Sequence, residues 1–433
     1  MKVVIIAGGK GTRLGRTDIP KPMIRILGKP ILEYQIELAK KYELNDIFIL
    51  SGFKSETIIN YFGDGSKWKV NITHIVEKKA LGTAGAVKQL ENLIRDRFIV
   101  FYGDTVMNIN LKKMIEYDNL TSSIGTLLVH PNDHPYDSDL IDIDNQTNQI
   151  LGFKSKPHDD SYKSNLVNAA LYILSSDIFA HIESGLNCDF GKDIFPLIIS
   201  KNLILNAYHS AEYIKDMGTL DRLIKVEDDL RSGKVRRLNN ENKRKAIFID
   251  RDGVINKEVD NLSDIDDFEL ILGVSDSIKK INNSEYLAIV ITNQPVVAKG
   301  FCSLGQLKEI HNKMESLLGF KNAFLDKIYF CPHHPDKGFE GENKSLKIDC
   351  DCRKPKIGMI KLARKEFNID LNNSYFIGDT TTDIQTGINA GLETFIVSTG
   401  YGGKDGKYKV TADNSTINLK SAVDTILYKS KRN

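Results

Sequence analysis

The 433-residue chain has one tryptophan, five cysteines and no apolar run long enough to span a bilayer. Its first apolar stretch, Val3 to Ala7, is also too short for a signal h-region. A cytoplasmic protein with no membrane partner is expected. Neither sign of charge dominates, since 59 Lys and Arg face 57 Asp and Glu for a formal net charge of +2. That balance provides neither a basic surface for nucleic acid nor an acidic tail, and points to small-molecule partners. Internal repeats and low-complexity tracts are missing as well. At this length a single ordinary core is excluded, and a domain size of about 150 residues favours two domains or three.

Three of the few cysteines fall together. Cys331-Pro332-His333-His334 is followed, across a fifteen-residue loop, by Cys350-Asp351-Cys352-Arg353-Lys354-Pro355. Cys331, His333, Cys350 and Cys352 would supply three thiolates and one imidazole, the closed tetrahedral set of a structural Zn²⁺. On a pair of strands the i, i+2 spacing would point both ligands of each dipeptide to one face. Disulfides would need no histidine, and a reducing compartment disfavours them. Cys188 and Cys302 remain as expected small core residues.

Apolar β-branched runs recur at Val3 to Ala7, Ile47 to Leu50, Ile72 to Val76, Phe98 to Phe101 and Ile124 to Val129, with helical stretches at Ile31 to Lys41 and Ala84 to Leu93. The alternation predicts an α/β domain with a mostly parallel sheet and helices on both faces. A charged helix follows Thr219. The polar, aperiodic stretch Arg236 to Lys243 then reads as a linker. A second alternation runs through Ala246 to Ile249, Leu287 to Ile291, Lys327 to Phe330, Tyr375 to Ile377 and Thr394 to Val397. The expected division is a domain over 1–232, a linker over 233–243 and a second α/β domain over 244–433.

In the second domain Phe248-Ile249-Asp250-Arg251-Asp252-Gly253 sets two carboxylates beyond a buried strand, where open α/β sheets assemble their ligand crevices. One aspartate can attack phosphorus, splitting a hydrolysis into two displacements, and the other can handle the proton. Thr292, Asn293 and Gln294 end another strand with groups able to hold phosphoryl oxygens. Arg353 and Lys354 can offset transition-state charge. Asp379, followed by Asp383, offers carboxylates suited to Mg²⁺. Asp250-x-Asp252, Thr292, Lys354 and Asp379 resemble the four motifs of the haloacid-dehalogenase-like phosphatases. The zinc loop running into Cys-Arg-Lys-Pro-Lys resembles, within them, the D-glycero-D-manno-heptose 1,7-bisphosphate phosphatases and the related histidinol-phosphate phosphatases. The likeness covers about residues 244 to 430. It implies a Rossmannoid fold, Asp250 as nucleophile, Asp252 as acid/base, and Mg²⁺ held by Asp250, Asp379 and the Asp252 carbonyl. Thr380 departs from the pattern, since the heptose enzymes often carry lysine there.

In the first domain the strand Val3 to Ala7 runs into Gly8-Gly9-Lys10-Gly11-Thr12-Arg13-Leu14, a turn whose backbone N–H groups could approach phosphates. It fits neither a Walker A loop nor a full dinucleotide fingerprint. Pro20-Lys21-Pro22 presents a stiffly held lysine, and Asp104 and Asp216 end separate segments as carboxylates able to share Mg²⁺. These elements, with Gly82-Thr83-Ala84-Gly85 and Lys215-Asp216-x-Gly218-Thr219, resemble the sugar-1-phosphate nucleotidyltransferases over about residues 1 to 230. The resemblance implies a Rossmann-like, GT-A-like mixed sheet. It implies catalytic roles for Lys21 and Arg13, and nucleotide or sugar-phosphate contacts at Gly8, Gly9, Gly11, Thr12, Gly82, Lys156 and Asn168. Ser155 stands where an acidic residue commonly precedes the sugar-phosphate lysine.

The two resemblances imply consecutive reactions. Removing the 7-phosphate of heptose 1,7-bisphosphate leaves a heptose 1-phosphate that can attack the α-phosphorus of GTP, giving GDP-heptose for surface polysaccharide. Histidinol phosphate would yield nothing a nucleotidyltransferase accepts. Alternatives are a mannose-1-phosphate guanylyltransferase or another sugar-1-phosphate nucleotidyltransferase, joined to a histidinol-phosphatase-like unit, or a regulatory first domain without catalysis. Homo-oligomerisation stays open.

Overall fold

The computed structural model describes residues 1–9 and 18–430. Two compact units emerge. One comprises Met1–His130, Asp139–Ser155 and Val167–Asn239, and the other Pro131–Ser138, Lys156–Leu166 and Asn240–Asn433.

The first unit is built on strands β1 (Lys2–Ile6), β2 (Asp46–Ser51), β3 (Asn71–Val76) and β4 (Phe98–Tyr102). β1 pairs in parallel with β2 on one side and β4 on the other, Val3 facing Ile47 and Ile99. Val3, Val4 and Ile5 are fully buried, which is why the strand reads as a continuous apolar run without alternation. The expectation of a mostly parallel sheet needs correction. β9 (Val167–Leu174) runs antiparallel to β4 and to β6 (Gly125–His130), and β7 (Leu140–Ile143) pairs antiparallel with β8 (Ile150–Lys154). With β10 (Leu205–His209) parallel to β6, this gives a nine-stranded mixed sheet of order β8-β7-β9-β4-β1-β2-β3, β6 pairing with β9 and β10. A separate ribbon joins β5 (Thr105–Asn108) to β11 (Tyr213–Asp216), Thr105 facing Asp216.

Helix α1 (Ile31–Lys41) spans the predicted residues, burying Ile31, Leu32, Gln35, Ile36 and Ala39 on the sheet side at i, i+4 spacing. The helix expected over Ala84 to Leu93 is α2 (Gly82–Lys88), followed by turns. After α3 (Leu220–Arg231), N-capped by Thr219, the predicted linker is not uniformly loose. Lys234–Arg237 forms α4 with Val235 buried, and Asn239 donates to Asn108 Oδ1 at 3.0 Å. Asn240, in the second unit, donates to Glu366 O at 3.1 Å.

The second unit carries β12 (Lys245–Ile249), β13 (Tyr286–Asn293), β14 (Lys327–Cys331), β15 (Tyr375–Gly378), β16 (Glu393–Val397) and β17 (Asn414–Thr416) in one parallel sheet of order β14-β13-β12-β15-β16-β17. The first five are the predicted strands. β12 lies centrally between β13 and β15, so Asp250, Thr292 and Asp379 leave neighbouring strands at one edge of the sheet. Among the described residues no helix is long and apolar enough to cross a membrane.

Candidate active sites and metal centres

Parallel pairing of β12 and β15 brings Asp250 and Asp379 together, and the first turn of the helix after β15 adds Asp383. Carboxylate oxygens of Asp250, Asp379 and Asp383, all buried, lie within 4.8 Å of one another. Lys354 Nζ lies 2.8 Å from Asp250 Oδ1 and 2.6 Å from Asp383 Oδ1. Burial first, then the charge of Asp383, pushes the Asp250 carboxyl up to about 7. Burial, then Asp383 and Asp250, pushes Asp379 up to about 9. Lys354 rises although burial opposes it, because Asp250 and Asp383 favour its ammonium. Three carboxylates against one ammonium leave an uncompensated negative site, the donor set a Mg²⁺ takes. Asp379 is further held by Tyr401 N–H at 2.8 Å.

Asp252 faces the other way. Its oxygens accept from Arg251 Nη2 at 2.8 and 3.0 Å, Asn256 Nδ2 at 3.0 Å and Gln294 Nε2 at 2.8 Å. Burial works to raise this carboxyl, but Arg251, Asn256 and Gln294 together hold it below the usual range. The arrangement keeps Asp252 an ionised carboxylate. Arg251 is itself fully buried, with Nη1 3.2 Å from His311 Nε2. Burial and then Arg251 push His311 down to about 3, so the ring is a neutral acceptor.

Two predicted phosphoryl contacts are spent internally. Asn293 Oδ1 accepts from Lys354 N at 3.0 Å while its Nδ2 donates to Lys354 O at 3.2 Å. Gln294 spans Arg251, Asp252 and Thr292, with 2.9 Å to Arg251 Nη2 and 2.8 Å to Thr292 Oγ1. Both amides set the positions of neighbouring groups. Arg353 donates to His333 O at 3.2 Å. Thr380 and Asp383 form a capping box at the start of α5 (Thr381–Ala390), so Thr380 supplies no charge but fixes Asp383. Arg251 was missed because its place between the two aspartates, two residues beyond the end of β12, says nothing of direction or burial.

Cys331, His333, Cys350 and Cys352 converge, their ligand atoms within 4.8 Å of one another. Sγ separations are 3.5 Å for Cys331–Cys350 and 3.1 Å for both Cys350–Cys352 and Cys331–Cys352. His333 Nδ1 lies 3.2 Å from Cys352 Sγ. These spacings far exceed a disulfide bond of about 2.05 Å and approach the roughly 3.8 Å edge of a Zn–S tetrahedron. Hydrogen bonding from Cys331 lowers Cys352 to about 5, toward the thiolate a metal takes. The expected strand pair is absent from the described residues here. Only Cys331 ends a strand, and the other three ligands stand on loops that the turn at Lys344–Leu346 brings back. Cys302 is buried as expected, whereas Cys188 is only half-buried.

In the first unit Lys21, at the start of a short 3₁₀ turn after Pro20, forms an ion pair with Asp104. Met217 N donates to Asp104 O at 2.9 Å, so the β5–β11 ribbon sets Asp104 beside Asp216. Asp216 is gripped through both oxygens by Arg222 Nη1 at 2.7 Å. Gly8 and Gly9 follow β1. Gly11, Thr12 and Arg13 lie outside the described residues. Gly82 has a φ of +72°, and a Cβ there would stand 2.3 Å from Cys188 O. That carbonyl accepts from Ala84 N and Gly85 N at 3.0 and 3.3 Å, so this glycine pair packs the helix start against Leu186–Cys188, and those two N–H groups are already engaged. Thr83 donates to Asp189 Oδ2 at 2.8 Å, and Asn168 lies on β9 near Gly191. Lys156 groups with the second unit, where its Nζ contacts Asp137 O and Oδ1 at 2.9 and 3.0 Å.

Comparison with known proteins follows the same division. The family described as nucleotidyl transferase matches residues 2–233, and the HAD-hydrolase-like family matches residues 351–420. D-glycero-alpha-D-manno-heptose-1,7-bisphosphate 7-phosphatase of Photorhabdus laumondii is 42% identical over 161 residues, spanning 37% of this chain and 86% of the relative. D-glycero-beta-D-manno-heptose-1,7-bisphosphate 7-phosphatase of Haemophilus ducreyi is 37% identical over 189 residues, spanning 43% of this chain and 98% of the relative. Among solved structures, HddC from Yersinia pseudotuberculosis complexed with GMP-PN is 28% identical, with 53% of this chain and 99% of that chain covered and a TM-score of 0.47. The chain therefore belongs to the nucleotidyl transferase family through residues 2–233, and through its C-terminal unit to the D-glycero-D-manno-heptose-1,7-bisphosphate 7-phosphatases, two enzyme classes on one polypeptide.

Proposed function

We propose that the C-terminal unit hydrolyses the 7-phosphate of D-glycero-D-manno-heptose 1,7-bisphosphate and that the N-terminal unit transfers GMP from GTP to the resulting heptose 1-phosphate. The observation that carries this reading is the presence, on one chain, of a buried Asp250–Lys354–Asp379–Asp383 cluster and a separate Lys21–Asp104–Asp216 cluster suited to consecutive phosphoryl chemistry. Asp250 attacks the phosphorus, the bond from phosphorus to the sugar oxygen breaks, and the departing oxygen takes a proton from Asp252. Asp252 then removes a proton from water, which releases phosphate from Asp250. The hold of Arg251 on Asp252 suits this second half most directly. The negative charge of the incoming bisphosphate offsets Arg251 during the first. Thr292 Oγ and Lys354 meet the phosphoryl oxygens, while Asn293 and Gln294 keep Lys354 and Asp252 in place.

In the N-terminal unit an oxygen of the heptose 1-phosphate attacks the α-phosphorus of GTP, and the bond to the β-phosphate oxygen breaks to release pyrophosphate. Lys21 steadies the phosphates, and Asn168 on β9 receives the sugar side. Mg²⁺, when bound at Asp250 and Asp379 or at Asp104 and Asp216, neutralises phosphate charge and orients the oxygens. Zn²⁺ at Cys331, His333, Cys350 and Cys352 would fix the loop that presents Arg353 and Lys354. A coupled assay with heptose 1,7-bisphosphate, Mg²⁺ and each nucleoside triphosphate in turn tests the whole reading. GDP-heptose, phosphate and pyrophosphate formed with GTP are expected. Phosphate release with no nucleotide sugar from any triphosphate would overturn the N-terminal half.

A further inference from the structure

Position 311 lies where an aliphatic side chain is expected. The helix Leu304–Gly319 starts at a capping box, Ser303 Oγ accepting from Gln306 N at 3.1 Å, and turns Leu307, Ile310, Met314 and Leu318 inward. His311 falls on that same buried stripe, and Phe330 packs edge-on against its ring with centroids 5.5 Å apart. A histidine so placed is ordinarily a core residue with its hydrogen bonds met. What separates this one is its partner.

Arg251 is a planar, fully buried cation whose three nitrogens are used unequally. Nε and Nη2 form the edge that grips Asp252, Nε donating to Oδ1 at 3.1 Å and Nη2 to Oδ1 and Oδ2 at 2.8 and 3.0 Å. Nη2 also donates to Gln294 Oε1 at 2.9 Å. Nη1, the opposite corner, meets His311 Nε2 at 3.2 Å. A guanidinium held along one edge can still tilt about it. A contact at the far corner fixes the plane, and with it the direction in which Asp252 is held. The acceptor that does this is uncharged. A carboxylate at position 311 would satisfy Nη1 but would compete with Asp252 for the cation, whereas an imidazole with its proton on Nδ1 offers a lone pair alone.

We infer that His311 is a positioning residue for the phosphatase reaction, aiming the Asp252 carboxyl at the departing sugar oxygen by fixing the plane of Arg251. This rests on the phosphatase reading above and deepens it. The effect is confined to steps in which Asp252 moves a proton. When the bond from phosphorus to the sugar oxygen breaks, that oxygen takes the Asp252 proton, because an alkoxide is a poor leaving group. The p-nitrophenolate ion leaves without one.

The test measures kcat/KM, which reports the steps through phosphorylation of Asp250, for heptose 1,7-bisphosphate and for p-nitrophenyl phosphate. Full-length protein with Mg²⁺ is compared with His311→Leu and His311→Gln. His311→Leu keeps an apolar side chain on the buried stripe and removes the acceptor. It should lower the value for the bisphosphate about 10- to 100-fold, mainly through kcat, with a much smaller loss for the aryl ester. His311→Gln restores an uncharged acceptor and should recover most of that loss. Turnover of p-nitrophenyl phosphate by His311→Leu reports that the site is folded. Equal losses on the two substrates in His311→Leu, or no recovery in His311→Gln, overturn the inference while leaving the phosphatase reading intact. A parent protein that cleaves p-nitrophenyl phosphate but not heptose 1,7-bisphosphate overturns that reading, and the role of His311 with it.

Discussion

Arg251 is a fully buried cation whose compensation comes from one carboxylate, two amide or ring acceptors and little else. Asp252 takes two of its N–H groups, Gln294 Oε1 shares Nη2, and His311 Nε2 lies against Nη1. A protonated His311 would oppose Arg251 across 3.2 Å in a buried site. Its value of about 3 in the folded protein lies below the roughly 6.5 expected when unfolded. Above that unfolded value both states hold a neutral ring. As pH falls through it, the unfolded chain takes up a proton that the folded chain refuses until about pH 3. His311 therefore contributes a stability that is complete near neutrality and is lost on acidification, at up to about 1.4 kcal/mol per pH unit. Thermal melts of the full chain at pH 7 and pH 5 should show a smaller loss in His311→Gln than in the parent. Equal losses would remove His311 as the source.

At the scale of elements, the loop that carries Arg353 and Lys354 begins at the last cysteine of the Cys331, His333, Cys350, Cys352 set. Three of those ligands lie on segments with no strand or helix to hold them. Closing such a loop is costly in entropy, and a structural zinc can contribute on the order of 10 kcal/mol toward it. Cys350→Ser should lose the metal, lower the melting temperature of the second unit and weaken phosphatase activity, while nucleotidyl transfer continues. Zinc content by atomic absorption and both activities on one preparation decide it. A full zinc complement with unchanged melting would strike Cys350 from the set. This loop also marks where sequence reading succeeds and stops. Buried parallel strands announce themselves as apolar runs, so their carboxyl ends, and with them Asp250, Thr292 and Asp379, can be named without coordinates. Ligand spacing announces the cysteines in the same way. Partnerships across the fold leave no period in the chain. Nothing in the spelling of Asn293 and Gln294 says that one is spent on the Lys354 backbone and the other on Asp252, or that Gly82 makes room for Cys188 O. The antiparallel β9 was hidden for a related reason. Its second half, Leu171–Leu174, is buried at every position and has the same apolar composition as its parallel neighbours.

For the whole molecule, the chemistry of the two units supplies the test that neither provides alone. On the proposed reading the phosphatase product is the nucleotidyltransferase substrate, so the two activities can be severed by single substitutions and then recombined. Asp250→Asn removes the nucleophile with little change in volume, and should abolish phosphate release while heptose 1-phosphate and GTP still give pyrophosphate. Asp104→Asn removes the carboxylate paired with Lys21, and should stop nucleotidyl transfer while the bisphosphate is still cleaved. Neither variant alone converts heptose 1,7-bisphosphate and GTP into a nucleotide sugar. Mixed in equal amounts, they should do so after a lag set by accumulation of free heptose 1-phosphate, and the lag should shorten as the concentration of the Asp250→Asn protein rises. Phosphate, pyrophosphate and nucleotide sugar followed on one time course make the order of events visible. Loss of both activities in either single variant would defeat the two-site account. A mixture that releases phosphate yet never forms the nucleotide sugar, although each variant retains its own activity, would show that the monophosphate leaving one unit is not the nucleophile the other accepts.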